Sequence, residues 1–427
     1  MNTTPTDDRT TSRIAFGAWI GLDWGDKEHA FHLRVAGAAA PESGQLTHSA
    51  ENLHRWFKEL EQRFGGRPVA LGVESNRGAL LHVLAQYPWL TIFPINPVTS
   101  ARYRKAFVPS GAKDDLPDAG ILLDIVHLHT EKLRALVWDD ENTRKLTGLV
   151  QTRRDTVDRR TQALNQLTSV LKGYYPQALG LVGEDLSAPM ASEFLRRWPD
   201  VLSLKSARPA TLRSFYYRHN ARRPELVDKR LESIKGMVAL STDEAVVSVA
   251  RMQLKLLLEL IATFNKHINF FEAQIATAFA GYADRALFAE LPGAGKVLAP
   301  RLAVAFGSDR TRYLDAASFQ KFAGLAPVRE KSGGQLWTHW RWQAPAFLRQ
   351  SLVEWAGQTV VWCSWAKRYY ERMKAKGKKH HVILRALAFK WARILWKCWK
   401  TNTPYDENRY LEALKKRKSP NLPLATA

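Results

Sequence analysis

The chain has 427 residues, of which 45% are hydrophobic, so two or three domains with sizeable cores are expected. Lys and Arg total 63 against 41 acidic residues, and the net charge of +22 favours a polyanionic partner, with nucleic acid ahead of an anionic membrane surface. No apolar run approaches the roughly 18 residues of a spanning helix, the polar N-terminus lacks the pattern of a signal peptide, and two cysteines argue against a disulfide framework or a structural zinc site.

Residues 18 to 100 combine strand-like and helical patterns. The apolar run Ala18–Asp23 predicts a buried strand, and Ala30–Val35 alternates in polarity, so the two can pair as a hairpin. Apolar residues recur at helical spacing in Glu51–Phe64. Pro68–Val73 and Leu90–Ile95 are strand-like and flank the helical run Leu80–Leu84. This order of a hairpin-led sheet, a helix and more strands resembles a ribonuclease-H-like domain.

The middle of the chain is predicted to be helical. Leu116–His129 and the highly charged Glu141–Lys172 have helical patterns, and residues 176–247 read as a basic helical insertion divided by prolines. From Leu254 to Ala278, apolar residues recur at steps of three and four, which predicts a coiled coil. Its partner is either the helix at 141–172 or the same helix of another protomer.

A second, mainly helical domain is predicted from Leu287 onward. It contains one loop or hairpin at Val328–Trp342, and its last helical stretch is basic and aromatic. The tail after Tyr410 is polar and is expected to be disordered.

Four acidic residues suggest a metal site: Asp23 inside the first strand, Glu74 at the end of a later strand, and Asp115 and Asp118 at the start of a helix. A charge in a buried strand is costly unless something compensates it. Hard oxygen ligands suit Mg²⁺, and two ions roughly 4 Å apart hold the attacking and leaving oxygens of a phosphodiester. The sequence therefore predicts a site for Mg²⁺, with two ions, in which Mn²⁺ can substitute.

The helical pair also fits a purely structural role. Asp115 can act as a helix N-cap, with Pro117 in the first turn and Asp118 at the third helical position. Asp23 has no such alternative, because a residue in a central strand caps nothing.

The segment Leu291–Lys296 (LPGAGK) precedes a helix-forming run and looks like the hairpin of a helix-hairpin-helix. Gly293 and Gly295 permit a close backbone approach to a phosphate, and the helix N-terminus presents free N–H groups beside Lys296. The alternative is a plain turn, since Pro-Gly is a generic turn signal. The Gly-Lys-Ser/Thr ending of a Walker motif is absent.

Two further segments carry basic residues suited to nucleic acid. Ser332 precedes two glycines in a basic stretch that, taken alone, is a linker-like turn. The C-terminal basic run interleaves aromatics, which suits a phosphate-tracking surface with stacking sites and equally a solvated helix face over an aromatic core. The candidate nucleic-acid contacts in these segments are Arg329, Lys331, Lys376, Lys378, Lys379 and Arg385.

Taken together, the motifs resemble the DEDD transposases of the IS-one-ten group of insertion sequences, also called bridge recombinases. The resemblance runs from Trp19 to Asp406 and rests on the order and spacing of its segments: IGLDWGDK from Ile20, GVES from Gly72, the stretch from Asn96 to Ala119, and the C-terminal LPGAG, GLAP and SGG motifs. Asp114 stands where the family usually has Thr, and Pro117 where it has an aliphatic residue. Asp114 and Asp115 therefore remain alternatives for the third carboxylate.

The resemblance implies a fold of the α/β plus α class, with an RNase H/RuvC-like N-terminal domain, a long helical coiled-coil middle and a mainly helical C-terminal domain. It implies that Asp23, Glu74, Asp115 and Asp118 are the catalytic metal ligands and that Ser332 is a nucleophile forming a transient phosphoserine link to DNA. The implied partners are donor DNA, target DNA and a structured guide, or bridge, RNA. The implied assembly is a homo-oligomer, from dimer to tetramer.

The function predicted on this basis is that of a transposase, a site-specific DNA recombinase of an insertion sequence. The alternatives are a RuvC-type hydrolytic junction nuclease and a catalytically inactive nucleic-acid-binding protein. We expect a cytoplasmic, nucleoid-associated protein with no membrane partner. The predicted domains are a disordered tail (1–17), a nuclease domain (18–140), a coiled coil (141–282) with its insertion at 176–247, a serine-bearing domain (283–410) and a disordered tail (411–427).

Overall fold

A five-stranded sheet forms the centre of the first part of the chain. The computed structural model describes residues 15–74, 79–107, 115–220, 223–341 and 344–422. The chain divides into two compact units, Met1–Trp138 and Asp139–Ala427. The strands of the first unit are β1 (Ala18–Trp24), β2 (Glu28–Val35), β3 (Glu42–Thr47), β4 (Val69–Val73) and β5 (Leu90–Pro94), in the spatial order β3-β2-β1-β4-β5.

The pairing of these strands follows from their apolar content. β1 and β4 are the most apolar strands and lie at the centre, where both faces are covered. The predicted β1–β2 hairpin is confirmed, with antiparallel pairing from Ala18↔Val35 to Trp24↔His29. β4 and β5 continue the sheet in parallel. The polar edge strand β3 has no alternating apolar pattern and is therefore not predicted from the sequence.

Helices cover both faces of this sheet. The helices of the first unit are α1 (Ala50–Phe64), α2 (Ala79–Leu84), α3 (Pro97–Phe107) and α4 (Asp115–Leu128), followed by a 3-10 turn at Thr130–Lys132. The predicted helix α1 is confirmed and begins at Ser49, whose hydroxyl accepts a hydrogen bond from the Asn52 N–H at 3.2 Å. Its buried side chains pack on one face of the sheet, and α4 packs on the other.

Two long helices organise the second unit. They are α5 (Glu141–Tyr174) and α11 (Glu244–Ala280), which run antiparallel along each other. Arg153 on α5 pairs with Glu272 on α11 at 2.6 Å, and the Arg160 guanidinium donates to the Asn265 side chain at 2.8 Å. Of the two partners that the apolar repeat leaves open for α11, this chain's own α5 lies against it.

Five short helices connect these two, and they match the predicted helical character of 176–247. They are α6 (Ala178–Leu181), α7 (Pro189–Arg197), α8 (Val201–Lys205), α9 (Pro209–Arg218) and α10 (Pro224–Lys235). Pro209 and Pro224 each start a helix, where the missing N–H group costs nothing, and Pro199 lies between α7 and α8. The short helices pack on α5 and α11 around an aromatic cluster that includes Phe194 and Phe215.

The C-terminal part of this unit is helical apart from one hairpin. Its elements are α12 (Arg285–Ala289), α13 (Gly295–Phe306), α14 (Ala316–Phe322), β6 (Val328–Ser332), β7 (Gln335–His339), α15 (Ala346–Trp362), α16 (Ser364–Ala375), α17 (His380–Thr401) and α18 (Glu407–Lys416). Four tryptophans have no exposed surface, and each indole N–H donates to an oxygen, as buried Trp requires: Trp355, Trp365, Trp391 and Trp399.

The end of the chain differs from the predicted disordered tail at 411–427. Residues 407–416 form α18, capped by Asp406, and Leu414 is 6% exposed. The Arg372 guanidinium donates to the Asn421 side chain at 2.7 Å. The charge-rich sequence conceals this order, because the apolar contacts of α18 are few and are made to residues distant in sequence. Within the described ranges, no helix is both long and apolar enough to cross a membrane.

Candidate active site

The first two acidic residues lie side by side at one edge of the sheet. β1 and β4 are parallel, and their register runs from Ala18↔Val69 to Leu22↔Val73. Asp23 and Glu74 each follow this last pair by one residue, so they occupy equivalent positions at the carboxyl ends of adjacent strands. Because side chains alternate along a strand, both carboxylates belong to the sheet face that carries α4.

Two glycines allow α4 to lie directly on that face. A Cβ atom on Gly21 would stand 2.1 Å from the Ala119 carbonyl oxygen and 2.2 Å from the Leu123 nitrogen. A Cβ atom on Gly72 would stand 3.0 Å from the Leu122 carbonyl oxygen. The backbone of α4 therefore fills the space that any side chain at position 21 would take.

The direction of α4 brings its first turn to the same edge. Near the start of β1, the ring of Trp19 lies 4.7 Å from that of His127 near the end of α4. Gly21 lies against Ala119, so the helix runs antiparallel to β1 and its N-terminus points to the strand ends. The paired acids of the sequence are in this first turn. The side chain of Asp115, and Asp114 altogether, lie outside the described residues.

Helix α3 supplies partners to two of the acids. The Ser100 hydroxyl donates a hydrogen bond to the Glu74 carboxylate, and Arg104, one helical turn later, forms an ion pair with Asp118. The Asp118 side chain is 12% exposed, so this guanidinium compensates a mostly buried charge. Ser100 and Arg104 are not among the site residues predicted from the sequence. Their i, i+4 spacing between the glutamate strand and the paired-aspartate segment is the signal that was available.

We call Asp23, Glu74 and Asp118 the acidic edge. Among the described side chains, no group of three or more His, Cys, Asp or Glu is close enough to hold a metal ion. The topology thus places the acidic residues at one edge of the sheet. The described side chains of Glu74 and Asp118 contact residues of α3.

Ser332 lies in the second unit, at the tip of the β6–β7 hairpin. It pairs with Gln335 across a two-residue turn in which Gly333 and Gly334 have φ of 55° and 85°. Positive φ at both positions is the signature of the tight turn that suits the twist of antiparallel strands, and glycine adopts it without strain. The linker-like turn of the sequence analysis is therefore a regular, exposed hairpin.

The face of the hairpin that carries Ser332 also carries an ion pair. Glu330 accepts from the His339 ring nitrogen at 2.8 Å and from the Trp337 indole at 3.0 Å. The hydrogen bond from His339 lowers the pKa of Glu330, and the same contact raises the pKa of His339. No described side chain hydrogen-bonds to the Ser332 hydroxyl. The candidate contacts Arg329 and Lys331 are exposed.

The predicted helix-hairpin-helix segment connects α12 to α13. Gly293 has φ of 69°, and a Cβ atom there would stand 2.8 Å from the Trp362 ring and 2.9 Å from the Gln358 side chain. Its role is thus to pack against α15. Gly295 has φ of 54° with open space around it, and Lys296 is exposed. The backbone at Gly295 and Lys296 is accessible to a ligand, whereas that at Gly293 faces protein.

The basic C-terminal candidates fall into two groups. Lys376, Lys378 and Lys379 are exposed at the turn between α16 and α17. Arg385 is half-buried: its guanidinium lies 3.1 Å from the centroid of the Trp340 ring and donates to the Gly324 carbonyl at 3.1 Å. Burial lowers the pKa of Arg385 to about 10, with nearby Arg349 contributing in the same direction. This arginine holds the hairpin's exit against α17.

Known proteins resemble this chain over nearly its whole length. The family model of DEDD transposases of the IS110 type matches residues 20–176, and that of the IS116/IS110/IS902 transposase family matches residues 285–371. The "Mini-circle putative transposase for IS117" of Streptomyces coelicolor is 26% identical over 400 residues, covering 92% of this chain and 96% of that protein.

Two more relatives come from other insertion elements. An uncharacterized 43.6 kDa protein of IS110 from Streptomyces coelicolor is 25% identical, covering 91% of this chain and 96% of its own length. An uncharacterized 42 kDa protein of IS900 from Mycobacterium paratuberculosis is 22% identical, with 92% and 98% covered. The first match begins at the strand that holds Asp23 and spans the acidic edge, and the second spans the hairpin with Ser332. The chain therefore belongs to the IS110-type family of DEDD transposases.

Proposed function

We propose that this transposase cuts and rejoins DNA with Mg²⁺ held at the acidic edge and with Ser332 as the nucleophile. Membership of the family implies DNA cleavage and rejoining and the use of divalent metal ions. The observation that carries the proposal is the shared register of β1 and β4, which sets Asp23 beside Glu74 under the first turn of α4.

The residues of the acidic edge suit a hard divalent cation. Carboxylate oxygens are the ligands that Mg²⁺ prefers, and we assign Asp23, Glu74, Asp115 and Asp118 to this role. When bound, Mg²⁺ neutralises charge on the phosphate and favours deprotonation of the attacking hydroxyl. Ser100 orients Glu74 by its hydrogen bond, and Arg104 balances the charge of Asp118.

Ser332 is assigned the covalent step. Its Oγ forms a bond to the scissile phosphorus, and the bond from phosphorus to the leaving deoxyribose oxygen breaks. The serine hydroxyl loses its proton to solvent, and the leaving oxygen takes up a proton from solvent. Attack by a new DNA hydroxyl reverses the step and frees the serine, so rejoining needs no ATP. The exposed position of Ser332 beside two glycines supports this role, because backbone and hydroxyl are open to a phosphate.

Target choice is assigned to a structured guide RNA. The net charge of +22 suits two polyanionic partners, and the exposed lysines at 376, 378 and 379 contact phosphates without reading bases. Sequencing the RNA that co-purifies with the protein tests this assignment. A discrete RNA encoded next to the gene is expected, whereas target choice that persists after removal of all RNA would rule out guidance.

A homo-oligomer is the proposed working form. Helix α11 exposes an apolar stripe on the side away from α5, at the helical spacing of an interface: Val246, Val249, Met252, Leu256 and Leu260. A Leu256→Lys variant should reduce the mass measured by light scattering without loss of helical signal. An unchanged mass would place the interface elsewhere.

One observation favours a second function, hydrolytic cleavage of DNA junctions. The Ser332 hydroxyl has no hydrogen-bond partner among the described side chains, so no described base prepares it for attack. In a hydrolytic enzyme water takes its place, and Ser332 serves only the turn.

A denaturing gel with labelled element-end DNA separates these functions. A covalent protein–DNA product supports the recombinase, free nicked DNA supports the nuclease, and intact DNA supports a protein that only binds. Asp23→Asn should abolish every product and leave the fold intact. Ser332→Ala should abolish the adduct and recombination but keep DNA binding, and Gln335→Ala, opposite Ser332 on the hairpin, is the matched control that should keep the adduct.

A further inference from the structure

A cavity of about 360 Å³ lies in the second unit, and neither the β6–β7 hairpin nor the C-terminal lysines contribute to its lining. It is bounded by α5, α11, the start of α13 and the start of α15. Val150, Ile275 and Phe347 contribute an apolar part of its wall. The polar part consists of four cationic side chains together with Glu272 and Asn269.

Arg301 is the central basic group and is 7% exposed. Its Nε donates to the Ser351 hydroxyl at 3.0 Å, and its Nη1 pairs with Glu354 at 2.7 Å. Its Nη2 is buried and has no partner in the described part of the chain. The Arg301 guanidinium thus belongs to the wall of the cavity, and its hydrogen-bonding capacity is only partly used by described residues.

Further positive charge converges on the same space. Arg153, Arg154 and Lys296 also line the cavity. Arg153 is paired with Glu272 at 2.6 Å and Arg154 with Asp158 at 2.9 Å, whereas Lys296 makes no hydrogen bond or ion pair with any described residue. Burial lowers the pKa of Arg301, Glu354 opposes this effect, and repulsion from Arg154 and Arg153 adds to it. An anion in the cavity would relieve this repulsion.

The start of α13 strengthens the preference for an anion. The helix runs for 12 residues from Gly295, and Lys296 and Val297 in its first turn line the cavity. The N-cap residue Ala294 has no side chain to accept from the free N–H groups of this turn. These groups and the helix dipole favour a phosphate oxygen at this end.

The apolar wall determines what carries the phosphate. Phe347 packs beneath the Arg301 guanidinium at 4.9 Å and, with Val150 and Ile275, forms the apolar part of the lining. Sites of this size, apolar with a few placed polar groups, suit a small organic molecule better than a bare ion.

We infer that this cavity binds one phosphorylated nucleotide, either free or as a unit of the nucleic-acid substrate, with its phosphate on Arg301, Lys296 and the start of α13 and its base on the apolar wall. The inference deepens the proposed nucleic-acid function, because a nucleotide held here would anchor one strand to the second unit. It does not depend on catalysis at the acidic edge.

Calorimetric titration of the full-length protein with adenosine 5′-monophosphate tests the site. One equivalent should bind, and Lys296→Ala should weaken binding by roughly tenfold, as expected for a lost charge-assisted contact. Arg154→Ala removes a positive charge from the lining without removing a proposed contact, so it should weaken binding by less. Lys255→Ala, an exposed lysine on α11 that does not line the cavity, is the control and should leave binding unchanged. Absence of binding, or equal binding by all variants, overturns the inference.

Three further titrations identify the ligand. Inorganic phosphate and adenosine should each bind more weakly than the monophosphate, and phosphate binding equally well would overturn the role of the apolar wall. A 5′-phosphorylated dinucleotide that binds as well as the monophosphate indicates a nucleic-acid unit, and one that is rejected indicates a free nucleotide. Asp23→Asn should bind the monophosphate normally, so failure of the metal-site proposal remains distinguishable from failure of this one.

Discussion

The close packing of α4 on the sheet gives the sharpest test of the active-site geometry. Gly21→Ala introduces one methyl group at 2.1 Å from the Ala119 carbonyl oxygen and 2.2 Å from the Leu123 nitrogen. Carbon–oxygen contacts in proteins are about 3.3 Å or longer, so α4 must retreat by roughly 1 Å. Both obstructing atoms are backbone and cannot rotate away. Gly21 has no positive φ, so the whole effect is steric.

Two consequences of known size follow. Overpacking of a buried contact typically costs about 1–3 kcal/mol, and we expect Gly21→Ala at the upper end because the helix itself must move. A displacement of about 1 Å at catalytic groups can cost on the order of a hundredfold in rate. Because the first turn of α4 carries Asp115 and Asp118, strand cleavage should fall by about that factor even in the fraction that stays folded.

The assay compares Gly21→Ala with a variant on the facing helix. Gly120 lies on α4, and a Cβ atom there would meet His32 at an ordinary 3.7 Å. Gly120→Ala should therefore keep full cleavage and gain up to about 1 kcal/mol from helix propensity. Urea unfolding gives the stability change, and Mg²⁺-dependent nicking of labelled DNA gives the rate. Gly21→Ala with normal stability and normal cleavage would refute the packing argument.

Three other outcomes are expected from single residues. Arg104→Gln should tighten Mg²⁺ binding in calorimetry, because the metal ion no longer competes with a guanidinium for Asp118. The same variant should be less stable when metal is absent. Weaker Mg²⁺ binding would show that Arg104 supports the site instead. The Glu330 contact raises the pKa of His339, so this ring stays protonated to a higher pH; DNA binding by the hairpin should weaken as pH rises through that raised pKa, and His339→Gln should remove this pH step. Trp391→Ala removes a fully buried indole and should cost about 3–5 kcal/mol in urea unfolding; a change under about 1 kcal/mol would mean that the surrounding core collapses to fill the space.

Much of the first unit is readable from the sequence because its signals are local. The run Ala18–Asp23 is too apolar for an edge strand, and Leu53, Phe57 and Leu60 recur at helical spacing, so β1 and α1 are where the patterns predict them. Elements without such a pattern are missed. α3 buries only Ser100, and β3 is mostly exposed, so neither shows a periodic apolar face.

Roles that depend on distant packing are less readable. The pair of glycines in LPGAG suggests one shared task, but Gly293 lies against Trp362 and Gln358, whereas Gly295 is open. Arg385 lies in a run of basic residues and yet stacks on Trp340, a residue 45 positions earlier. Local sequence gives the charge of such a residue, and only the fold determines whether water or protein surrounds it.

The acidic edge combines both situations. The cost of a charge in an apolar strand marks Asp23 as a candidate site residue from sequence alone, and the same cost favours partners for the partly buried Glu74 and Asp118. That requirement is met by Ser100 and Arg104, one turn apart on a helix whose sequence has no apolar stripe. Helix α3 contacts the acidic residues through polar side chains. This use of its polar face explains why its sequence has only a weak amphipathic pattern.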